Sequence, residues 1–151
     1  MPCNRKGKAL MVDEQDQDRI IRLDEDRTDR PYVLGRIIAL IEETIRAGTG
    51  ERARDAYKET HWPDAVAGRA RRAIVQGEQK ASLAMKALRH RAPKRAAYLE
   101  RTKSALFGLI DEVPEHLGQH DSLILNLGYQ HQSADLRGLT SKVVKDPDTQ
   151  D

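Results

Sequence analysis

His116 and His120 stand four residues apart, a spacing that can present two imidazoles on one side of a helix to a metal ion. Gly118 between them points to a loop instead, and no carboxylate–histidine motif accompanies them. The one cysteine, Cys3, lies in an N-terminal stretch poor in apolar residues, so neither an internal disulfide nor a thiolate cluster can form. Ser104 and Ser122 lack the strand–turn–helix setting of a nucleophile elbow. Asp111 and Glu112 form a carboxylate pair, but adjacent helical residues point apart. No glycine-rich phosphate loop leads into Lys-Ser or Lys-Thr. A non-enzymatic protein without cofactor or metal is the expectation.

Charge is the feature left to do chemistry. The 151 residues carry a net charge of only +2, with 33% charged residues, but the charges are unevenly placed. Residues 1–60 hold 12 Lys/Arg against 13 Asp/Glu; residues 61–104 hold 11 against 3; residues 105–151 hold 3 against 8. Such a polarised chain can steer a polyanion to one surface. Arg69, Arg72, Lys80, Lys86, Arg89, Arg91, Lys94 and Arg95 are the expected phosphate contacts. Aromatic residues make up 4% of the chain, too few for a base-stacking platform, and no helix-turn-helix, zinc finger or aromatic RNP sheet is present. Sequence-independent, salt-sensitive phosphate tracking remains. The competing reading is a solvated helix face that meets only water or an acidic protein.

The elements that must position these cations are helical. From Pro31, which suits a first helical turn, Leu34, Ile37, Ile38, Ile41 and Ile45 recur at helical spacing until Gly48 and Gly50. A short helix is expected over 51–59, with a break at His61-Trp62-Pro63. A long helix then covers 64–91, its inner face formed by Val66, Ala70, Ile74, Ala81, Met85 and Leu88. Pro93 opens a further helix with a stripe of Tyr98, Thr102, Leu106, Leu109, Ile110 and Val113. The last helix is expected over 121–136, with Leu123, Ile124 and Leu127 as its core side. The reading is an all-α bundle of about five helices spanning 31–138, a charged and flexible segment at 1–30, and a disordered tail at 139–151. The longest apolar run, Ile37 to Ile41, is far below the roughly 20 residues of a spanning helix, so a cytoplasmic protein is expected.

Three segments carry a resemblance. Arg22-Leu23-Asp24 followed by Pro31-Tyr32-Val33-Leu34-Gly35-Arg36-Ile37-Ile38 resembles a segment of the type I-C CRISPR Cascade large subunit, near the start of its C-terminal helical region. Arg54-Asp55-Ala56-Tyr57 is similar to the arginine-aspartate-arginine-tyrosine step that follows there. Leu127-Gly128-Tyr129-Gln130-His131-Gln132 resembles its closing glycine-tyrosine-x-histidine-glutamine motif. The three occur in family order over residues 22–137. Two features depart from the pattern: Pro63 is the single proline before the central helix, and Ser133 stands where an arginine often follows.

The resemblance implies the small subunit that corresponds to this C-terminal region. Such a subunit packs on the backbone and large subunits and on another copy of itself, within a complex guided by CRISPR RNA. It supports the displaced non-target DNA strand while guide pairing reads sequence. Gly35 and Arg36 are then expected to serve close packing, and Tyr129 and His131 to be core or subunit-contact residues. The alternatives are a helical protein-binding adaptor and a stand-alone module for nonspecific nucleic-acid binding.

Overall fold

The computed structural model describes residues 22–145, with side chains described through residue 138. Five helices follow in order: α1 Arg30–Thr49, α2 Glu51–Val66, α3 Ala70–Arg91, α4 Pro93–Phe107 and α5 Gln119–Lys145. No strand occurs among the described residues, so the fold is all-α. The expected flexible segment falls mostly on residues 1–21, outside the described residues; of the expected C-terminal tail, 146–151 lie outside them too.

The central element is α1. Leu34, Ile37, Ile38, Ile41 and Ile45 are buried, but so are Tyr32, Val33, Leu40, Arg36 and Glu42, which lie around the rest of the helix. A helix buried all round is a core element, enclosed here chiefly by α5 and α3, with α2 and α4 completing the wrap. Gly50 ends it at φ +109°, its N–H donating to the Arg46 carbonyl at 2.9 Å.

The expected break at Pro63 is not where the chain turns. α2 runs through His61, Trp62 and Pro63 to Val66. Pro63 sits in the last turn, where its missing N–H costs a single backbone bond. The true break is Gly68, at φ +88°. The Gly68 N–H donates to the Ala65 carbonyl at 3.2 Å and the Arg69 N–H to the Asp64 carbonyl at 2.8 Å. Those two bonds form a Schellman closure, which a glycine in the left-handed region favours. Val66 therefore belongs to α2 and is exposed, whereas Ala70, Ile74, Ala81, Met85 and Leu88 of α3 are buried as expected.

α4 buries Ala96, Leu99 and Leu106. It ends at Phe107, so Ile110 and Val113 reach the core from a loop and Leu109 is exposed. That loop is pinned where the Leu117 N–H donates to the Gly68 carbonyl at 2.9 Å.

The expected core side of α5 is also corrected. Leu123 and Leu127 are 66% and 40% exposed; the buried positions are Ser122, Leu125, Gly128, Tyr129, Gln132 and Leu136. The inward phase is carried by small and polar residues because α5 approaches α1 at backbone distance. A Cβ on Gly128 would stand 2.2 Å from the Tyr32 carbonyl oxygen. The helix also continues past the expected end at 136, to Lys145.

Candidate nucleic-acid interface

The fold distributes the eight expected phosphate contacts into different roles. Arg91 is a structural cap: its guanidinium donates to the carbonyls of Ala47 and, at 2.9 Å, Gly48, in the last turn of α1. Arg95 closes on Glu43, which also holds Arg46, so it ties the start of α4 to α1. Arg69 and Arg72 share Asp64, at 2.9 and 3.7 Å. Arg89 meets Glu100 of α4 at 2.7 Å. Lys80, Lys86 and Lys94 are exposed and make no ion pair among the described residues.

Two further cations in the basic segment are likewise consumed. Arg71 donates to the Val113 carbonyl at 2.7 Å and to Glu115 at 3.0 Å. Lys103 lies 2.7 Å from Glu78. The acids that answer the local excess thus include Glu43, Glu112 and Glu115 from outside the segment, brought in by the fold.

Arg101, like Arg71 and Lys103, is a cation of the basic segment outside the eight expected contacts. It is exposed and without an ion pair among the described residues. It lies seven residues after Lys94, two turns along one side of α4, or roughly 10.5 Å. Exposed Ala97, Ser104 and Ala105 flank it, leaving that side low and free of bulk. The inner side of α4, Ala96, Leu99 and Leu106, faces away from it. On the adjoining α3, Lys86 is exposed while Ala81, Ala84, Met85 and Leu88 are buried. The Arg89–Glu100 pair bridges the two helices beside them. Lys86, Lys94 and Arg101 therefore stand on the outer face of the α3–α4 hairpin. Lys80 lies elsewhere, near buried His61 of α2.

The other motif residues meet at the α1–α5 crossing. A Cβ on Gly35 would stand 1.9 Å from the Leu125 carbonyl oxygen. Arg36, 5% exposed, donates from Nε to Gln132 Oε1 at 2.9 Å, and burial pulls its guanidinium below its usual value. Tyr32 and His131 share a hydrogen bond at 2.8 Å between the phenol and Nδ1. The Asp24 N–H donates to the same phenol oxygen at 3.1 Å, and Arg27 lies over the ring. Tyr129 donates to Glu42 and packs on Trp62 with ring centroids 4.3 Å apart. Burial, and then the Glu42 contact, push the Tyr129 hydroxyl above its ordinary value. Tyr57 reaches the Ala73 carbonyl of α3 at 3.4 Å.

No cluster of three or more His, Cys, Asp or Glu positioned for a metal occurs among the described residues. No helix there is long and apolar enough to cross a membrane.

The model of the CRISPR-associated protein family Cas_Csd1 matches residues 4–137. The chain belongs to this family. No curated protein matches it. A Cas_Csd1 chain is a CRISPR-associated, Cascade-type subunit, a component of a CRISPR-associated complex. The match spans α1 to α4 and most of α5, so it contains both the α1–α5 crossing and the α3–α4 hairpin. In this Cas_Csd1 chain Gly35, Arg36, Tyr129 and His131 sit in the crossing, with their partners inside the same chain.

Proposed function

We propose that this chain is the non-catalytic small subunit of a type I-C Cascade and supports the displaced non-target DNA strand without reading its sequence. The observation that carries the reading is the outer face of the α3–α4 hairpin. Lys86, Lys94 and Arg101 project there without carboxylate partners among the described residues, in a chain of a CRISPR-associated family. Lone surface cations on a low floor suit phosphate oxygens, and base readout is left to the guide RNA. Exposed Leu123 and Leu127 on α5 suit the protein side of the same role, contact with backbone and large subunits or a second copy. The reading places the protein in the cytoplasm.

The test is charge reversal of Lys86, Lys94 and Arg101 together in the assembled complex, with R-loop formation as the readout. Loss of R-loop yield with unchanged assembly is expected; unchanged yield overturns the chosen face. For the isolated chain, binding to unrelated single strands should weaken with salt at a log–log slope of about −0.7 per phosphate neutralised. Absence of any binding in about 50 mM salt, alone and in the complex, overturns the strand-holding role.

A further inference from the structure

Among the cations beside the hairpin face, Arg89 alone combines exposure with an acid partner that is equally exposed. Its side chain is 54% exposed and that of Glu100 is 50% exposed, with Nη2 to Oε1 at 2.7 Å. Lys103 and Glu78 make the other α3–α4 pair, but Lys103 is only 14% exposed and its contact lacks hydrogen-bond alignment. The two pairs therefore differ in what their acids do. Glu78 neutralises a cation the surface hardly sees. Glu100 occupies a guanidinium that water, and hence a phosphate, can reach.

We infer that Glu100 is a built-in competitor for the polyanion, holding Arg89 as a masked phosphate contact on the hairpin face. This rests on the reading of that face as the strand-holding surface. Three relations support it. Arg89 lies three residues beyond Lys86, so the two are neighbours on α3. Glu100 directly precedes Arg101 on α4, which puts the only acid of that part of α4 at the edge of its lone cations. A half-exposed ion pair is weak in water, so a phosphate presented beside it can take the guanidinium in place of the carboxylate. The guanidinium fork suits such an exchange, since it offers several donors in one plane. A carboxylate in this position keeps contact weak and reversible, as a strand-supporting surface without sequence preference requires.

The experiment measures binding of the full chain to an unrelated single-stranded oligonucleotide across a salt series. The variants are Glu100→Gln, Glu78→Gln, Arg89→Gln and the Arg89→Gln/Glu100→Gln double. Glu100→Gln should steepen the log–log salt slope by about 0.7 and tighten binding about fivefold near 0.1 M salt, the effect of one added phosphate contact. Glu78→Gln should leave both nearly unchanged. The double variant should match Arg89→Gln, because the gain runs through that one guanidinium. An unchanged Glu100→Gln, or a gain that persists in the double variant, overturns the proposal. Lys86→Gln/Arg101→Gln, measured alongside, separates the two levels: if it binds like the wild type, the hairpin reading itself fails. Thermal melts of each variant show whether any change in binding reflects loss of fold.

Discussion

Gly35 of α1 sits against the Leu125 carbonyl of α5 so closely that a Cβ would stand 1.9 Å from the oxygen. No rotamer can relieve a clash with backbone, so the two helices must separate. Gly35→Ala is expected to cost about 3 kcal/mol or more, the upper range for overpacking a tight core. Gly138→Ala is the control, since nothing lies within 4 Å of a Cβ there; on helix propensity it should stabilise by about 0.5–1 kcal/mol. Urea midpoints of the two variants should move in opposite directions.

A second consequence concerns the buried carboxylate of Glu42, to which Tyr129 donates across the crossing. Tyr129→Phe keeps the ring against Trp62 but removes the donor. The expected cost is about 1–3 kcal/mol, the penalty of leaving a buried acceptor short of a partner. Adding Glu42→Gln should recover part of that loss, because no uncompensated charge is then buried. If thermal melts show the single and double variants to be equally unstable, the Tyr129–Glu42 contact is not the source of the effect.

The stripes of α1 and α3 were legible because aliphatic residues recur on their inner sides. α5 was misread in phase because its strongest apolar residues, Leu123 and Leu127, are exposed, while Ser122, Gly128 and Gln132 face inward. Close backbone approach and hydrogen bonds set that phase, and neither has a signature in hydrophobicity. Pro63 suits the first turn of a helix and so suggests a break at His61-Trp62-Pro63, yet one missing bond in a last turn is tolerated and Gly68 makes the turn. The basic excess was visible, but the acids that neutralise Arg71 and Arg95 lie 41 to 52 residues away along the chain.

Buried His61 and partly buried Glu43 both respond to acid. Burial alone would push the Glu43 carboxyl up, but hydrogen bonds from Arg46 and Arg95 outweigh it and hold the group below its ordinary value of 4.5. Burial, followed by the charge of Lys80, lowers the His61 imidazole below 6.5. Both groups bind protons less readily folded than unfolded, so both contribute stability at neutral pH. His61's contribution is lost progressively as pH falls below about 6.5, and Glu43's below about 4.5. Stability against pH should therefore fall in two stages. His61→Gln should remove the upper stage and Glu43→Gln the lower, as read from denaturant midpoints between pH 7 and 3. A single stage in the unmodified protein would contradict the assignment.

Arg91 and Lys86 separate stability from binding on one helix. Arg91 donates to the Ala47 and Gly48 carbonyls, groups at the end of α1 that have no helical partner. A cation there also meets the negative end of the helix dipole. Arg91→Ala should thus lower stability by about 1 kcal/mol, discounted for its exposure to solvent, while leaving the salt slope of oligonucleotide binding unchanged. Lys86 makes no ion pair among the described residues, so Lys86→Ala should do the reverse: no measurable change in melting, and a salt slope shallower by about 0.7. A shallower slope for Arg91→Ala would mean that its guanidinium leaves α1 to meet phosphate. The capping geometry argues against that, because two backbone carbonyls would then lose their donor at once.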